Sequence, residues 1–136
     1  VLERVYYYNA PLDRSRDEQA YLSQQRFFDC INLMDYFELR LGKLMERPGG
    51  VKIEKGVDVR LGVDMVAYAF KNLYDVAILV SGDADFAAAV QYVKDTGKHV
   101  ELAYIDAEGA RPAKNLLDVC DKRVKLSLGE NIRFLG

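Results

Sequence analysis

The chain has 136 residues, half of them hydrophobic, with 21 Asp and Glu against 19 Lys and Arg and a net charge of −2. That length fits a single domain spanning residues 1–136, since domains commonly run to roughly 100–200 residues, and it allows one real core. The composition excludes a disordered chain. No apolar run reaches the roughly 20 residues of a membrane span, and no signal peptide opens the chain.

Val5-Tyr6-Tyr7-Tyr8, closed by Asn9-Ala10-Pro11, has the β-rich composition of a strand. A helix is expected from about Asp17 to Met34, with Tyr21, Phe27, Phe28, Ile31 and Met34 near one face. Phe37, Leu39 and Leu41 alternate with Glu38 and Arg40, the period of a half-buried strand. Pro48-Gly49-Gly50 is a turn signal before the alternating Val51-Lys52-Ile53-Glu54, which predicts a hairpin-like excursion. From Asp58 to Leu73 the residues Val59, Val63, Val66, Phe70 and Leu73 recur at helical spacing and form a narrow apolar stripe.

Val76-Ala77-Ile78-Leu79-Val80 is a short continuous apolar run, which predicts a strand buried on both faces. A helix should follow from about Ala84 to Thr96, capped by Gly97. His99 to Ile105 reads as a further strand. Pro112 suits the first turn of a helix ending near Cys120, and Lys122 to Leu126 forms the last strand. Helix and strand alternate through the second half, which implies an α/β fold with a mostly parallel sheet and helices on both faces. Cys30 and Cys120 sit in apolar helical patterns and are expected to be buried free thiols. With no secretion signal, that places the chain in the cytoplasm.

In an open parallel sheet, ligands bind beyond the carboxyl ends of the strands. The run Val76–Val80 ends directly in Ser81-Gly82-Asp83-Ala84-Asp85. Gly82 permits a sharp turn, Asp83 lies at the sheet edge, and Asp85 lies in the first turn of the next helix, whose N-terminus stabilises anions. Neighbouring carboxylates repel unless a cation joins them, and hard divalent cations take such oxygen ligands. The plainer reading is that one of these aspartates only caps the helix. Asp58, at the start of the preceding helix, is a candidate third carboxylate. Asp64 lies about 120° further round that helix and is either solvated or a supporting residue.

Between Arg40 and Arg60 six cations (Arg40, Lys43, Arg47, Lys52, Lys55 and Arg60) outnumber three anions (Glu46, Glu54 and Asp58). A basic rim of this kind suits a phosphate-bearing ligand, and a solvated hairpin explains it equally well. The single histidine, His99, argues against an imidazole-rich zinc site. No phosphate-binding loop or dinucleotide fingerprint is present, and neither cysteine has a histidine partner in its pattern. The tyrosines at 6–8 suit strand packing better than base stacking.

Lys55-Gly56-Val57-Asp58, Leu61 and Asp64, Tyr74-Asp75 with the run from Val76 to Phe86, and Gly97-Lys98-His99-Val100 together resemble the NYN group of PIN-like nucleases, with the LabA-like branch most similar. The resemblance covers roughly residues 51 to 126. It implies a three-layer α/β/α sandwich, a Mg²⁺ or Mn²⁺ site and metal-dependent cleavage of RNA. Asp58, Asp83 and Asp85 match the family's acidic positions. Asp64 matches a recurrent position without a fixed role, Ser81 would lie beside the scissile phosphate, and Lys55 would help to hold it.

The family also begins with a central strand ending in Asp, for which Val5–Tyr8 is no match. An N-terminal strand is therefore expected to be missing from this sequence. The expectations are thus a metal-dependent endoribonuclease acting on single-stranded RNA, with Lys52, Lys55 and Arg60 on substrate phosphates. Two alternatives stay open, a catalytically inactive regulatory module that binds RNA or protein, and a hydrolase of a small phosphate ester. No membrane partner is expected, and a homo-oligomer is left open.

Overall fold

A computed structural model describes residues 2–105, 109 and 111–126. In chain order the elements are β1 (Val5–Asn9), α1 (Glu18–Asn32), β2 (Phe37–Leu41), β3 (Lys43–Glu46), β4 (Lys52–Lys55), α2 (Val57–Phe70), β5 (Val76–Val80), α3 (Phe86–Asp95), β6 (His99–Ile105), α4 (Lys114–Val119) and β7 (Lys122–Leu126). The chain forms two compact units that divide within α2, the first through Leu61 and the second from Gly62.

In the first unit β1 and β2 run parallel, in register from Val5 opposite Phe37 to Asn9 opposite Leu41. The connection is α1, whose start is fixed by Asp17, which accepts a hydrogen bond from the Ala20 amide at 3.0 Å. This is the side-chain cap that an Asp supplies to unpaired N–H groups. α1 buries Phe28 and Ile31 and contacts β2. The tyrosines of β1 are strand-packing residues, as their pattern implies. Tyr7 meets Phe27 edge-on at 5.7 Å, and the Arg40 guanidinium lies over the Tyr6 ring at 4.8 Å.

The predicted excursion is a true hairpin, with β3 and β4 antiparallel and, among the described residues, paired only with each other. Gly49 and Gly50 take left-handed backbone angles at its tip, at φ 92° and 77°, where a side chain would be strained. The base is closed by Gly42. A Cβ there would lie 2.6 Å from Val57 Cγ2 and 2.8 Å from the Lys55 carbonyl oxygen.

In the second unit β5, β6 and β7 form a parallel sheet in that order. Val76 is opposite His99, and Glu101 is opposite Lys122. α3 packs on β6 and on α4. The core here consists of Phe86, Val90 and Val93 from α3, Leu79, Val100 and Leu102 from the sheet, and Leu116 from α4. Gly97 caps α3 as its sequence implies, with φ 87° and its amide donating to the Lys94 carbonyl at 2.9 Å. Asp121 ties β7 back to β6 by accepting the Val100 amide at 2.8 Å.

Three expectations are corrected. β5 is covered on one face only. Leu79 is buried, but Val76, Ile78 and Val80, which alternate with it onto the opposite face of the sheet, are 45%, 57% and 65% exposed. The predicted apolar stripe is largely uncovered, since Val59, Val63, Phe70 and, beyond the end of α2, Leu73 are exposed and Val66 is half-buried, while Met65 and Ala69 are buried. Cys30 is exposed and only Cys120 is buried, because α1 turns Phe28 and Ile31 inward instead. Both thiols are free. No helix among the described residues is long and apolar enough to cross a membrane.

Tyr74 donates its hydroxyl hydrogen to the Met65 carbonyl, and burial pushes its pKa from 10.0 up to about 12. The folded state therefore prefers the neutral phenol. Its stabilising effect is complete below the unfolded pKa of 10.0 and is lost as pH rises toward 12. In unfolding curves recorded across that alkaline range, Tyr74→Phe should flatten the loss of stability. An unaltered slope would exclude Tyr74 as its source. Gly42→Ala should lower stability by about 1–3 kcal/mol through overpacking, read by denaturant unfolding.

Candidate active site

The parallel sheet of the second unit delivers the end of β5 into a tight turn. Asp83 donates its amide hydrogen to Ser81 Oγ at 3.2 Å. Its Oδ1 accepts the Asp85 amide at 2.8 Å, and its carbonyl accepts the Phe86 amide at 3.3 Å. The turn thereby becomes the start of α3. Asp83 holds the turn with one carboxylate oxygen, while Asp85 occupies the N-cap position with no side-chain capping bond. The plain capping role thus belongs to Asp83, and the exposed Asp85 has no such structural duty.

The loop before α4 supports the turn from the other side. The Ala113 amide donates to the Gly82 carbonyl at 3.1 Å, and Asn115 Nδ2 donates to the Ala84 carbonyl at 3.3 Å. A Cβ on Gly82 would meet Pro112 Cα at 3.5 Å, an ordinary contact. The turn therefore does not require glycine here, contrary to the expectation for Gly82. Asn115 was missed from sequence. Its only signal is its place in the first turn of a helix that follows a parallel strand, at the same sheet edge as Asp83.

The other predicted residues stand on other elements. Asp58 is in the first turn of α2 and belongs to the first unit, whereas Ser81, Asp83 and Asp85 belong to the second. Asp64, half-buried on α2, falls in the second unit. Lys52 Nζ is bound to Asp13 Oδ1 at 3.1 Å, which also accepts from Ser15 Oγ at 2.7 Å. Hydrogen bonds from Ser15 and Lys52 hold the Asp13 carboxyl below its usual pKa. Lys55 is exposed at the end of β4, and Arg60 is exposed on α2.

Among the described residues no three His, Cys, Asp or Glu side chains are grouped to hold a metal ion. The β5–α3 turn supplies two carboxylates and the Ser81 hydroxyl, all oxygen donors of the kind a hard divalent cation takes. These residues fit such an ion in chemistry, though not as a complete ligand set.

The family model for the NYN domain matches residues 1–127. The chain belongs to the NYN family. The match takes in β1, α1, β2 and the hairpin, well beyond the stretch from 51 to 126 that carries the motifs. Comparison with curated proteins gave no match. NYN domains form a PIN-like, nuclease-like family that generally uses divalent metals and acts on RNA, and the parallel sheets of this chain agree with that α/β fold.

The two aspartates of the NYN turn differ in structural duty, and stability measurements should separate them. Asp83→Ala removes the acceptor for the Asp85 amide and should cost about 0.5–2 kcal/mol, the range for losing a cap. Asp85→Ala should cost less than Asp83→Ala in the same denaturant titration. Equal losses would contradict the turn described.

Proposed function

We propose that this NYN domain is a metal-dependent nuclease that hydrolyses phosphodiester bonds in single-stranded RNA, with Asp58, Asp83 and Asp85 as its metal-binding carboxylates and Mg²⁺ or Mn²⁺ as the ion. The observation that carries this reading is the turn at the end of β5, where Asp85 stands at a helix start with no capping bond to make. An aspartate so placed has its oxygens available to an ion. A bound divalent ion lowers the pKa of water and neutralises charge on the phosphate.

The protein's own share at the β5–α3 turn is to hold Asp83 and Asp85 in place before substrate arrives. Asp83 does so through the Asp85 amide, and the loop at Ala113 does so through Gly82. Ser81, half-buried beside Asp83, would orient the phosphate. Lys55 and Arg60 would grip the flanking backbone, and Lys52 would join them on leaving Asp13. Phosphate contacts of this kind position a strand without reading its sequence, so low sequence preference follows. The protein is placed in the cytoplasm on this reading.

A second reading is a regulatory module that keeps the fold and binds RNA or protein without cutting it. The turn at β5 carries two carboxylates rather than a complete ligand set, and this observation favours it.

The decisive variant is Asp83→Asn. Cleavage of a labelled single-stranded RNA in Mg²⁺ should fall by about two orders of magnitude, the scale on which one electrostatic contact to a transition state is felt. Unchanged cleavage would sink the site assignment. Titration calorimetry with Mn²⁺ separates the two readings. Heat of binding that disappears in Asp83→Asn supports the nuclease. No heat, with RNA binding retained, supports the module.

A further inference from the structure

The β3–β4 hairpin has two chemically different faces. Residues directly opposite in an antiparallel pair share a face, and the register sets Lys43 against Lys55, Met45 against Ile53, and Glu46 against Lys52. Beyond them Arg47 and Val51 meet through a backbone hydrogen bond of 2.7 Å at the tip. One face therefore carries Leu44 and the Glu46–Lys52 pair. It borders a shallow hollow shared with Leu12, Asp13 and Tyr21 and is fastened there by the Lys52–Asp13 ion pair.

The other face consists of Lys43, Lys55, Met45, Ile53, Arg47 and Val51. It contains no acid, and all six residues are exposed. Met45, Ile53 and Val51 are 43%, 36% and 59% exposed. No ion pair joins Lys43, Arg47 or Lys55 to another described residue.

Such a face is unfavourable if it meets only water. Two lysines directly opposite one another repel, and three adjacent apolar side chains stay wet. Both costs fall if a polyanion with apolar flat surfaces lies along the hairpin. Its charges would meet the lysines at the base and Arg47 at the tip, and its apolar surface would cover Met45 and Ile53. From residue 43 to residue 47 a strand spans about 14 Å, long enough for several units of a polymer.

We infer that this face of the hairpin is a binding arm for single-stranded nucleic acid, with Lys43, Lys55 and Arg47 on phosphates and Met45, Ile53 and Val51 against bases and sugars. The choice of nucleic acid over an acidic peptide rests on the nuclease reading above. The arm itself rests on the hairpin register, exposure and charge.

The test uses the full chain in EDTA, so that no cleavage intervenes, with fluorescein-labelled oligo(U) followed by anisotropy over a range of salt. Replacing Lys43, Arg47 and Lys55 together with Ala should weaken binding at least about tenfold. It should also reduce the slope of log K against log salt by about 2, as three lost phosphate contacts on a single strand require. Ile53→Ser should weaken binding while leaving that slope unchanged. A charge-matched control, Arg26, Lys71 and Lys122 replaced with Ala, should bind much closer to the parent.

Equal loss in the control, or an unchanged salt slope in the hairpin variant, would overturn the arm. Tighter binding of labelled poly-glutamate than of oligo(U) would overturn the choice of nucleic acid. Cleavage that survives Asp83→Asn, together with binding lost in the hairpin variant, removes the carboxylate assignment and leaves the arm standing. The converse pattern overturns the arm alone.

Discussion

Parallel pairing of β5 with β6 is the constraint on which the candidate site depends. Parallel strands bring all their carboxyl ends to one edge, and the chain must leave each end through a loop that turns into a helix. Here the loop after β5 carries Asp83 and Asp85, and the chain after β6 leads to Ala113 and Asn115. Both loops therefore emerge at the same edge and bond to each other through Gly82 and Ala84. The core that fixes the register is apolar and fully enclosed at Val90, Val93, Val100, Leu102 and Leu116. Packing in one layer thus sets the position of charge in another.

Within that edge the two aspartates divide the work. A carboxylate that accepts a backbone amide is held in one orientation and loses part of its freedom to bind anything else. Asp83 has one oxygen committed in this way, and that bond lies between the two acidic residues themselves. The turn therefore brings Asp85 to the helix start through the side chain of its acidic neighbour. A helix N-terminus favours nearby negative charge by about 0.3–1 kcal/mol at an exposed position, which eases the repulsion between the two. Neither residue depends on the glycine between Ser81 and Asp83 for this geometry.

Most of the second unit was legible in the sequence because its signals are local. The strands His99–Ile105 and Lys122–Leu126 and the cap at Gly97 follow from composition and backbone rules that act over a few residues. Burial was less legible. The apolar run Val76–Val80 has the composition of an interior strand, but the described residues give it one partner and one covered face. The spacing of Val59, Val63, Val66, Phe70 and Leu73 is regular, yet the residues that α2 buries are Met65 and Ala69. Periodicity states that a face is apolar; which neighbour covers it depends on contacts distant in sequence. The same limit applied to Cys30, whose apolar neighbours turn inward while the thiol turns out. At the site, Asp83 and Asp85 stood out because they follow a strand directly, whereas Asn115 carries no local pattern at all.

The charge of the chain is segregated, and net charge hides this. The overall value is −2, yet every charge on the exposed face of the β3–β4 hairpin is positive. Its opposite face holds Lys52 in an ion pair with Asp13, which Ser15 also engages. A lysine bound to an internal carboxylate and a lysine facing only another lysine respond differently to an approaching phosphate. The first must exchange one anion for another, so its net gain is small. The second gains a counter-ion and loses a repulsion in the same step. At physiological ionic strength, screening over about 8 Å limits each cation to its immediate neighbours. The placement of Lys43 and Lys55 on one rung therefore matters more for binding than the overall balance of acids and bases, and an acidic protein can present a local surface on which a nucleic-acid strand is held.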